Sequence, residues 1–312
     1  MSRVGIHLAA GAALLLALGL AAAGVGDRDG ALSDWQALAL GIVQGLTELL
    51  PISSSGHLIL VPWLGGWRFL ETNDDFNQTF DVALHLGTLV AVVGYFREEI
   101  VRLASAWIGT LRRRRIGSPD ERIAWFVVVA TVPAAVVGAL GEAFIADSLG
   151  EPWQIAIFLS VFGVVLWLAD RRPKDRRMSD LGLGTALAVG LAQTLSLAPG
   201  VSRSGVTISA ARALRIDRDS AARFSFLLLV PITFGAVVFA GVKDVLLGEL
   251  PPGSAGPFVV GMIASAGSGL VAISALLGYV RRHDYSVFVV YRLIAALAVV
   301  LLIVTGAREA TF

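Results

Sequence analysis

The sequence predicts an all-α polytopic membrane protein, built as an inverted-topology repeat with two re-entrant helical hairpins and an extra N-terminal span. Three observations predict this fold class. The chain has 312 residues, of which 56% are hydrophobic and 16% charged, whereas a soluble domain carries about 25% charged residues. Apolar runs of bilayer-spanning length recur along the chain. Two further apolar stretches do not behave like spans, because both end in similar polar segments.

The same composition excludes several classes of protein. The long apolar runs exclude a soluble globular enzyme and a disordered chain, and the lack of strict polar–apolar alternation excludes a β-barrel. The formal net charge is +1, so the sequence gives no basic field for binding nucleic acid. Cysteine is absent, which excludes disulfides, a thiol nucleophile and thiolate metal sites.

The predicted elements follow along the chain in order. A basic start at Arg3 precedes the apolar segment Val4–Gly26, which fits either a cleaved signal peptide or an uncut span. We predict residues 1–30 as a signal-like or transmembrane segment and residues 31–312 as one integral membrane domain. The further predicted spans are Phe80–Phe96, Ile123–Ala146, Trp153–Ala169, Phe224–Leu247, Pro257–Val280 and Ser286–Gly306.

The basic residues of the loops predict how these spans are oriented. Loop 97–122 holds seven arginines, and loop 170–180 holds five arginine and lysine residues. Loops 147–152 and 248–256 hold none. By the positive-inside rule, the first two loops are cytoplasmic and the last two lie outside. This orientation places both ends of each short apolar stretch on one side of the membrane.

The two short stretches are therefore predicted as re-entrant hairpins. Trp35–Leu50 has 16 residues, or about 24 Å of helix, whereas the hydrocarbon core is about 30 Å thick. It ends in a proline and the polar segment Ser53–His57. Leu181–Ala198 ends similarly, in a proline and the polar segment Ser202–Gly205. The first hairpin enters from the outer side and the second from the inner side.

The hairpins also resemble each other in sequence. In each, a glycine three residues before a glutamine leads to the polar segment, at Gln44 and at Gln193. Two similar halves of opposite topology form an inverted repeat, whose site lies near the membrane midplane where broken helices meet. We predict a first repeat at about 32–146, a second at about 181–280 and a final span at 286–306.

The first polar segment carries candidate chemical groups. Glu48 is an ionisable residue at membrane depth, which favours a functional role over a carboxylate that merely reaches solvent. The hydroxyls and freed N–H groups of Ser53–Gly56 can bind an anion, cap the returning helix, or both. His57 is either a general acid or base, a metal ligand, an anion donor or a satisfied buried histidine.

Arg203 is the single residue that most strongly indicates a binding site, because a guanidinium between two serines suits bidentate binding of phosphate oxygens. Alternatively, Arg203 pairs with Glu48 across the repeat, which still puts both residues in one site. His85 lies one turn after Asp81, which favours a structural pair between these two residues. Arg292 has no polar segment around it, and we interpret it as structural or interfacial.

These residues together predict a midplane pocket for an anion, favouring phosphate, and an anionic lipid is the natural substrate at that depth. The residues alone leave open whether the protein hydrolyses this lipid or carries it.

At these motifs the chain resembles a known family. Residues 41–57 read GIVQGLTELLPISSSGH, and residues 199–209 read PGVSRSGVTIS; the segment 224–231, FSFLLLVP, also fits. They resemble the signatures of the undecaprenyl-diphosphatases of bacterial inner membranes, the bacitracin-resistance type. The resemblance covers about residues 32–306.

The resemblance implies hydrolysis of undecaprenyl diphosphate to undecaprenyl phosphate and inorganic phosphate. This reaction recycles the carrier lipid for peptidoglycan and cell-wall synthesis, and it confers resistance to bacitracin. The resemblance also implies a multi-pass inner-membrane protein with a site open to the outer face, homodimers and a requirement for a divalent cation, Mg²⁺ or Ca²⁺. A transporter or flippase of a phosphorylated polyprenyl lipid is the alternative, and a binding or scaffold protein is a third hypothesis.

The resemblance further assigns roles to residues. Arg203 would hold the diphosphate, Ser54 would be the nucleophile, and Glu48 and His57 would handle the proton or a cation; attack by a metal-activated water is the rival mechanism. Some family members have glutamate where this chain has Gln44, which puts a two-carboxylate cation site in doubt and leaves Glu48 as the candidate ligand. The predicted substrate-binding residues are Gln44, Ser53, Ser55, Gly56, Ser202, Ser204, Gly205 and Thr207.

Overall fold

A computed structural model describes residues 32–67, 74–240 and 255–311. Within these ranges the chain is helical, and its one β-bridge joins Arg176 and Ile216. The predicted first span, Val4–Gly26, lies outside the described residues. The helices are α1 (Asp34–Leu49), α2 (Ser54–Gly65), α3 (Asp74–Tyr95), α4 (Arg97–Arg113), α5 (Pro119–Ser148), α6 (Pro152–Asp170), α7 (Leu183–Thr194), α8 (Arg203–Ala213), α9 (Arg218–Ala240), α10 (Ala255–Val280) and α11 (Ser286–Val304).

Six of the described helices are long and apolar enough to cross a membrane, namely α3, α5, α6, α9, α10 and α11. They coincide with the six predicted spans, although the end of the span predicted at 224–247 lies outside the described residues. Their outward faces expose large apolar side chains such as Leu140 and Val304, which are 84% and 77% exposed. Apolar outer faces on helices of bilayer-spanning length are typical of membrane spans, so the chain is a multi-pass membrane protein.

Loop 97–122 is not simply a loop, because helix α4 occupies its first two thirds. Its inner side buries Leu103, while Val101 and Ile108 are exposed on its surface. Arg102 pairs with Asp120 at 3.2 Å, which ties α4 to the start of α5. The arginines that indicate the orientation of the loop also lower its mean hydropathy, and for that reason the sequence analysis missed this helix.

Helix α1 packs closely against α10 and α3. A Cβ atom at Gly45 would lie 2.0 Å from the Ser268 hydroxyl and 2.3 Å from the Ser265 carbonyl oxygen. A Cβ at Gly41 would lie 2.3 Å from the carbonyl oxygen of Gly261. Only glycine permits this approach of backbones, so the glycines of α1 determine how deeply this helix is seated in the bundle.

Two helix breaks share the same geometry. Between α1 and α2, Ser53 has φ 76°, and its hydroxyl oxygen accepts the N–H of Gly56. Between α7 and α8, Ser202 also has φ 76°, and its hydroxyl oxygen accepts the N–H of Gly205 at 3.0 Å. Positive φ is costly for a non-glycine residue, so each serine is held by its contacts in a position that starts a new helix.

The two breaks also contact each other. The hydroxyl oxygen of Ser53 accepts the N–H of Gly200 at 3.0 Å, and the hydroxyl of Ser204 donates to the carbonyl oxygen of Leu50 at 3.0 Å. These reciprocal bonds join the start of α2 to the start of α8. The structure therefore brings the two polar segments together, as the sequence predicts.

Arg292 binds backbone carbonyl groups at this junction. Its buried guanidinium donates to the carbonyl oxygens of Pro51 and Gly200, at 3.1 and 2.9 Å. It also donates to Val201 at 3.2 Å and, through Nε, to Leu159 of α6 at 2.9 Å. The carbonyl groups that the broken helices leave free are thus bound by one side chain. The structural interpretation of Arg292 is confirmed.

Candidate active site

Glu48 is the centre of a cluster formed by α1 and the beginnings of α2 and α8. Its Oε1 atom accepts hydrogen bonds from Nη2 and Nε of Arg203, at 3.2 and 3.4 Å. Its Oε2 atom accepts from the Ser54 hydroxyl at 2.5 Å and from Nε2 of Gln44 at 3.3 Å. The carboxylate is only 7% exposed, so these donors replace the water that an ionised carboxylate needs.

Arg203 is the first residue of α8 and retains capacity to bind a ligand. Besides its bonds to Glu48, its Nη1 atom donates to the carbonyl oxygen of Ser225 at 2.8 Å. A guanidinium has five N–H donors, and across the described residues two of them have no protein acceptor. The side chain is 12% exposed, so these two donors and the N-terminus of α8 remain available to an anion.

His85, on α3, also reaches Glu48. Its Nδ1 atom lies 2.7 Å from the backbone oxygen of Asp81, and its Nε2 atom lies 3.7 Å from Oε2 of Glu48. The predicted Asp81–His85 pair therefore forms through the backbone and leaves Nε2 facing the cluster. The sequence analysis missed this role, although a polar ring inside an apolar span was an available signal. At 32% exposure, His85 is more open than Glu48, which is 7% exposed.

His57 lies elsewhere, buried next to the first break. Its Nδ1 atom lies 2.6 Å from the backbone oxygen of Ser53, which can only accept, so Nδ1 is the donor. Its Nε2 atom then accepts from the hydroxyl of Tyr291 at 2.7 Å, and the two rings stack at 5.6 Å. Among the described contacts, none joins His57 to Glu48. Tyr291 is a second residue that the sequence analysis missed.

The predicted substrate-binding residues fall into two groups. Ser55 follows Ser54 in α2 and is half-buried. The other seven are buried. Gln44 lies in α1 and donates to Glu48. The remaining six form the breaks and their junction: Ser53, Gly56, Ser202, Ser204, Gly205 and Thr207, the last of which also bonds to Ser225 of α9 at 2.8 Å. The structure thus brings the predicted residues into one region, with the buried hydroxyls engaged in protein contacts.

Comparison with known proteins identifies the family. The sequence model of the family described as bacitracin resistance protein BacA matches residues 37–298. The chain belongs to this family. A 48% identical protein of Geobacter sulfurreducens aligns over 265 residues, which are 84% of this chain and 96% of the relative. A 45% identical protein of Pelotomaculum thermopropionicum aligns over 279 residues, 89% of this chain and 99% of the relative. Both relatives are named undecaprenyl-diphosphatase.

The matched region of this BacA protein includes the whole Glu48 cluster and extends to Tyr291 and Arg292. Residues 1–36 lie before it, so the family match says nothing of the predicted first span. The region shared with BacA is therefore the part that contains the two helix breaks and the residues that join them.

The donor set of the cluster determines what cation it can hold. The described part of the chain contains no group of three or more histidine, aspartate or glutamate residues arranged to bind a metal. Gln44 is fully buried, however, and its Oε1 atom has no hydrogen-bond partner among the residues that the structure describes. Amide and carboxylate oxygens suit hard cations. Gln44 and Glu48 therefore fit a cation that takes its remaining ligands from a phosphate group or water.

Proposed function

We propose that this protein hydrolyses undecaprenyl diphosphate to undecaprenyl phosphate and inorganic phosphate in the bacterial inner membrane. The reaction would recycle the carrier lipid for cell-wall synthesis and confer resistance to bacitracin. The observation that carries the proposal is the contact of Glu48 with both Ser54 and Arg203 at two joined helix breaks. The names of the relatives agree with it.

Substrate binding begins with the diphosphate. The two N–H groups of Arg203 without a protein acceptor would bind oxygens of the terminal phosphate. The N-termini of α2 and α8, which meet at the break junction, add partial positive charge on the same side. Because Glu48 holds the guanidinium through Nε and Nη2, Arg203 is oriented before the lipid arrives, and little rearrangement is needed.

The chemical step uses the short contact between Ser54 and Glu48. The Ser54 hydroxyl already donates to Oε2 of Glu48, so the carboxylate can take its proton as Oγ attacks the terminal phosphorus. The bond from that phosphorus to the bridging oxygen breaks, and undecaprenyl phosphate leaves. Water then hydrolyses the phosphoserine and releases inorganic phosphate. In the rival mechanism, Glu48 takes the proton from a water that attacks the same phosphorus directly.

A divalent cation, Mg²⁺ or Ca²⁺, would be held by Glu48 and by Oε1 of Gln44 together with the diphosphate. When bound, it would neutralise negative charge on the phosphate oxygens. The amide of Gln44 contributes no charge of its own, so the cation site depends on the substrate more than a site with two carboxylates would. Gln44 would meanwhile keep Glu48 in place through its Nε2–H bond.

The position of the site in the membrane completes the proposal. We place α1–α2 and α7–α8 as re-entrant hairpins from the outer and inner sides, within inverted repeats at about 32–146 and 181–280. The short length of α1 and the shared geometry of the two breaks support this arrangement. The site then opens to the outer face. We also propose a homodimer, on the family resemblance alone.

A phosphate-release assay tests the function. Purified protein in phosphatidylcholine nanodiscs would be given undecaprenyl diphosphate, with and without a chelator, and both released phosphate and bound lipid would be measured. We expect phosphate release that stops when Glu48 is replaced by glutamine. Intact lipid binding without any phosphate release by the wild-type protein would overturn the proposal and favour transport.

A further inference from the structure

A polar cavity lies away from the Glu48 cluster. It has a volume of about 420 Å³ and lies where α6 ends and α11 begins. Arg212, which contributes to it, is in the last turn of α8, whereas Arg203 is the first residue of that helix. About 14 Å of helix axis separates these two arginines. The cavity is therefore distinct from the proposed active site, and its capacity to bind a ligand does not depend on the proposed hydrolysis.

The floor of the cavity is a rigid ion cluster around Asp170. This carboxylate accepts from Nε of Arg212 at 3.0 Å and from Nε and Nη2 of Arg218 at 2.8 and 2.9 Å. It also accepts the backbone N–H of Tyr285 at 3.0 Å. One carboxylate thus stands between two guanidinium groups, so the floor keeps an excess of positive charge.

The rim carries three further cations. Arg171, Arg172 and Lys174 line the cavity, and over the described ranges none of them pairs with a carboxylate. The guanidinium carbon of Arg171 lies 3.4 Å from the centroid of the Trp167 ring, which holds it at the rim by a cation–π contact. Asp284 is the only carboxylate besides Asp170 among the described lining residues. The cavity therefore attracts a compact anion.

The position of the cavity relative to the membrane indicates that the anion is a lipid headgroup. Helix α6 is a span and ends at Asp170, so the cavity lies at the level where lipid headgroups begin. Trp167 is 37% exposed one turn inside this end, as is typical of interfacial tryptophans. The neighbouring Leu168 and Val164 are 54% and 43% exposed and offer an apolar surface for acyl chains. Loop 170–180 is predicted to be cytoplasmic, where anionic lipids attract clustered Lys and Arg residues.

We propose that this cavity is a binding site for the phosphate headgroup of an anionic phospholipid. Arg171, Arg172 and Lys174 bind the phosphate, the Asp170 cluster forms a fixed cationic floor, and the outer face of α6 receives the acyl chains. A lipid, rather than free phosphate, is the ligand because the cationic rim and the apolar surface of α6 are adjacent.

Native mass spectrometry of the delipidated full-length protein tests the proposal, with phosphatidylglycerol as the probe and phosphatidylcholine as the zwitterionic comparison. The test variant is Arg171→Gln/Arg172→Gln/Lys174→Gln. The matched control is Arg112→Gln/Arg114→Gln/Arg115→Gln, which removes the same charge from exposed positions at the other basic loop. We expect the test variant to lose roughly tenfold or more in affinity for phosphatidylglycerol, and the control to change by less than about twofold.

Other outcomes would overturn the site. Equal losses of phosphatidylglycerol affinity in both variants would indicate diffuse electrostatic attraction. No loss of affinity in the test variant would mean that the cavity does not bind the lipid. Displacement of phosphatidylglycerol by millimolar inorganic phosphate at constant ionic strength would mean that the cavity binds the free anion. The thermal unfolding midpoint is measured for each variant, including the single variant Lys174→Gln. This measurement separates loss of the site from loss of the fold.

Discussion

The Nε2 atom of His85 lies 3.7 Å from the Oε2 atom of Glu48, although the two residues belong to α3 and α1. The Nδ1 atom of His85 is occupied by the backbone oxygen of Asp81, so Nε2 is the nitrogen that can exchange a proton with the carboxylate. Glu48 is 7% exposed, whereas His85 is 32% exposed. The imidazole therefore connects a buried base with the more open side of the site.

This contact predicts that His85 relays the proton that Glu48 takes from the nucleophile. We expect His85→Ala to lower kcat by roughly 10²-fold or more, within the range for positioned proton-transfer groups. Added imidazole is expected to restore part of the rate. His283→Ala is the matched control, because His283 is exposed and contacts Tyr279. A defect in His85→Ala that imidazole leaves unchanged would mean a purely structural role.

Ser54→Ala separates the two mechanisms of phosphate release. If Ser54 is the nucleophile, the variant loses the attacking atom, and we expect the rate to fall by roughly 10³-fold. Ser274→Ala is a matched control, since that exposed hydroxyl donates to the backbone of its own helix at Leu270. Rapid quenching of the wild-type reaction should also trap a phosphoserine. A rate within about tenfold of wild type, with no trapped intermediate, would favour direct attack by water.

Arg203→Lys keeps the charge but removes the planar fork that contacts Glu48 and Ser225 together. A lysine cannot make both contacts and still present two donors to phosphate. We expect kcat/KM to fall by roughly 10² to 10³-fold, with a rise in KM. Arg112→Lys, at an exposed position, controls for the exchange itself. If Arg203→Lys had the kinetics of the wild type, Arg203 would not be a residue that binds the diphosphate.

Gln44→Glu tests the proposed cation site without an activity readout. The new carboxylate would lie beside Oε2 of Glu48, where Gln44 now donates at 3.3 Å. Two adjacent carboxylates repel each other unless a cation lies between them. We expect the variant to unfold at a lower temperature in chelator and to gain more from Mg²⁺ or Ca²⁺ than the wild type does. Gln193→Glu is the control, because Gln193 is equally buried but bonds to Ala130. An equal response to cation in both variants would place the ion elsewhere.

The sequence predicts the spans and the Glu48–Arg203 pair, because apolar length and broken helices leave local patterns. It does not predict the contacts of His85 and Tyr291. Both are single polar residues in apolar spans, and only the packing of α3 and α11 near the two helix breaks decides what they touch. The sequence does not predict helix α4 for a different reason, because its arginines make this segment look like a charged loop.

Arg292→Met distinguishes a residue that supports the site from those that act in it. The guanidinium is buried and binds carbonyl oxygens of both breaks, so removing it leaves several acceptors without a donor. We expect the variant to lose about 3–5 kcal/mol of stability, seen as a lower thermal unfolding midpoint in detergent. Arg203→Lys, by contrast, should lower activity with a smaller change in that midpoint, because it keeps a positive charge beside the buried Glu48 carboxylate. If Arg292→Met unfolded like the wild type, the junction of the two breaks would be held by Ser53 and Ser204 alone.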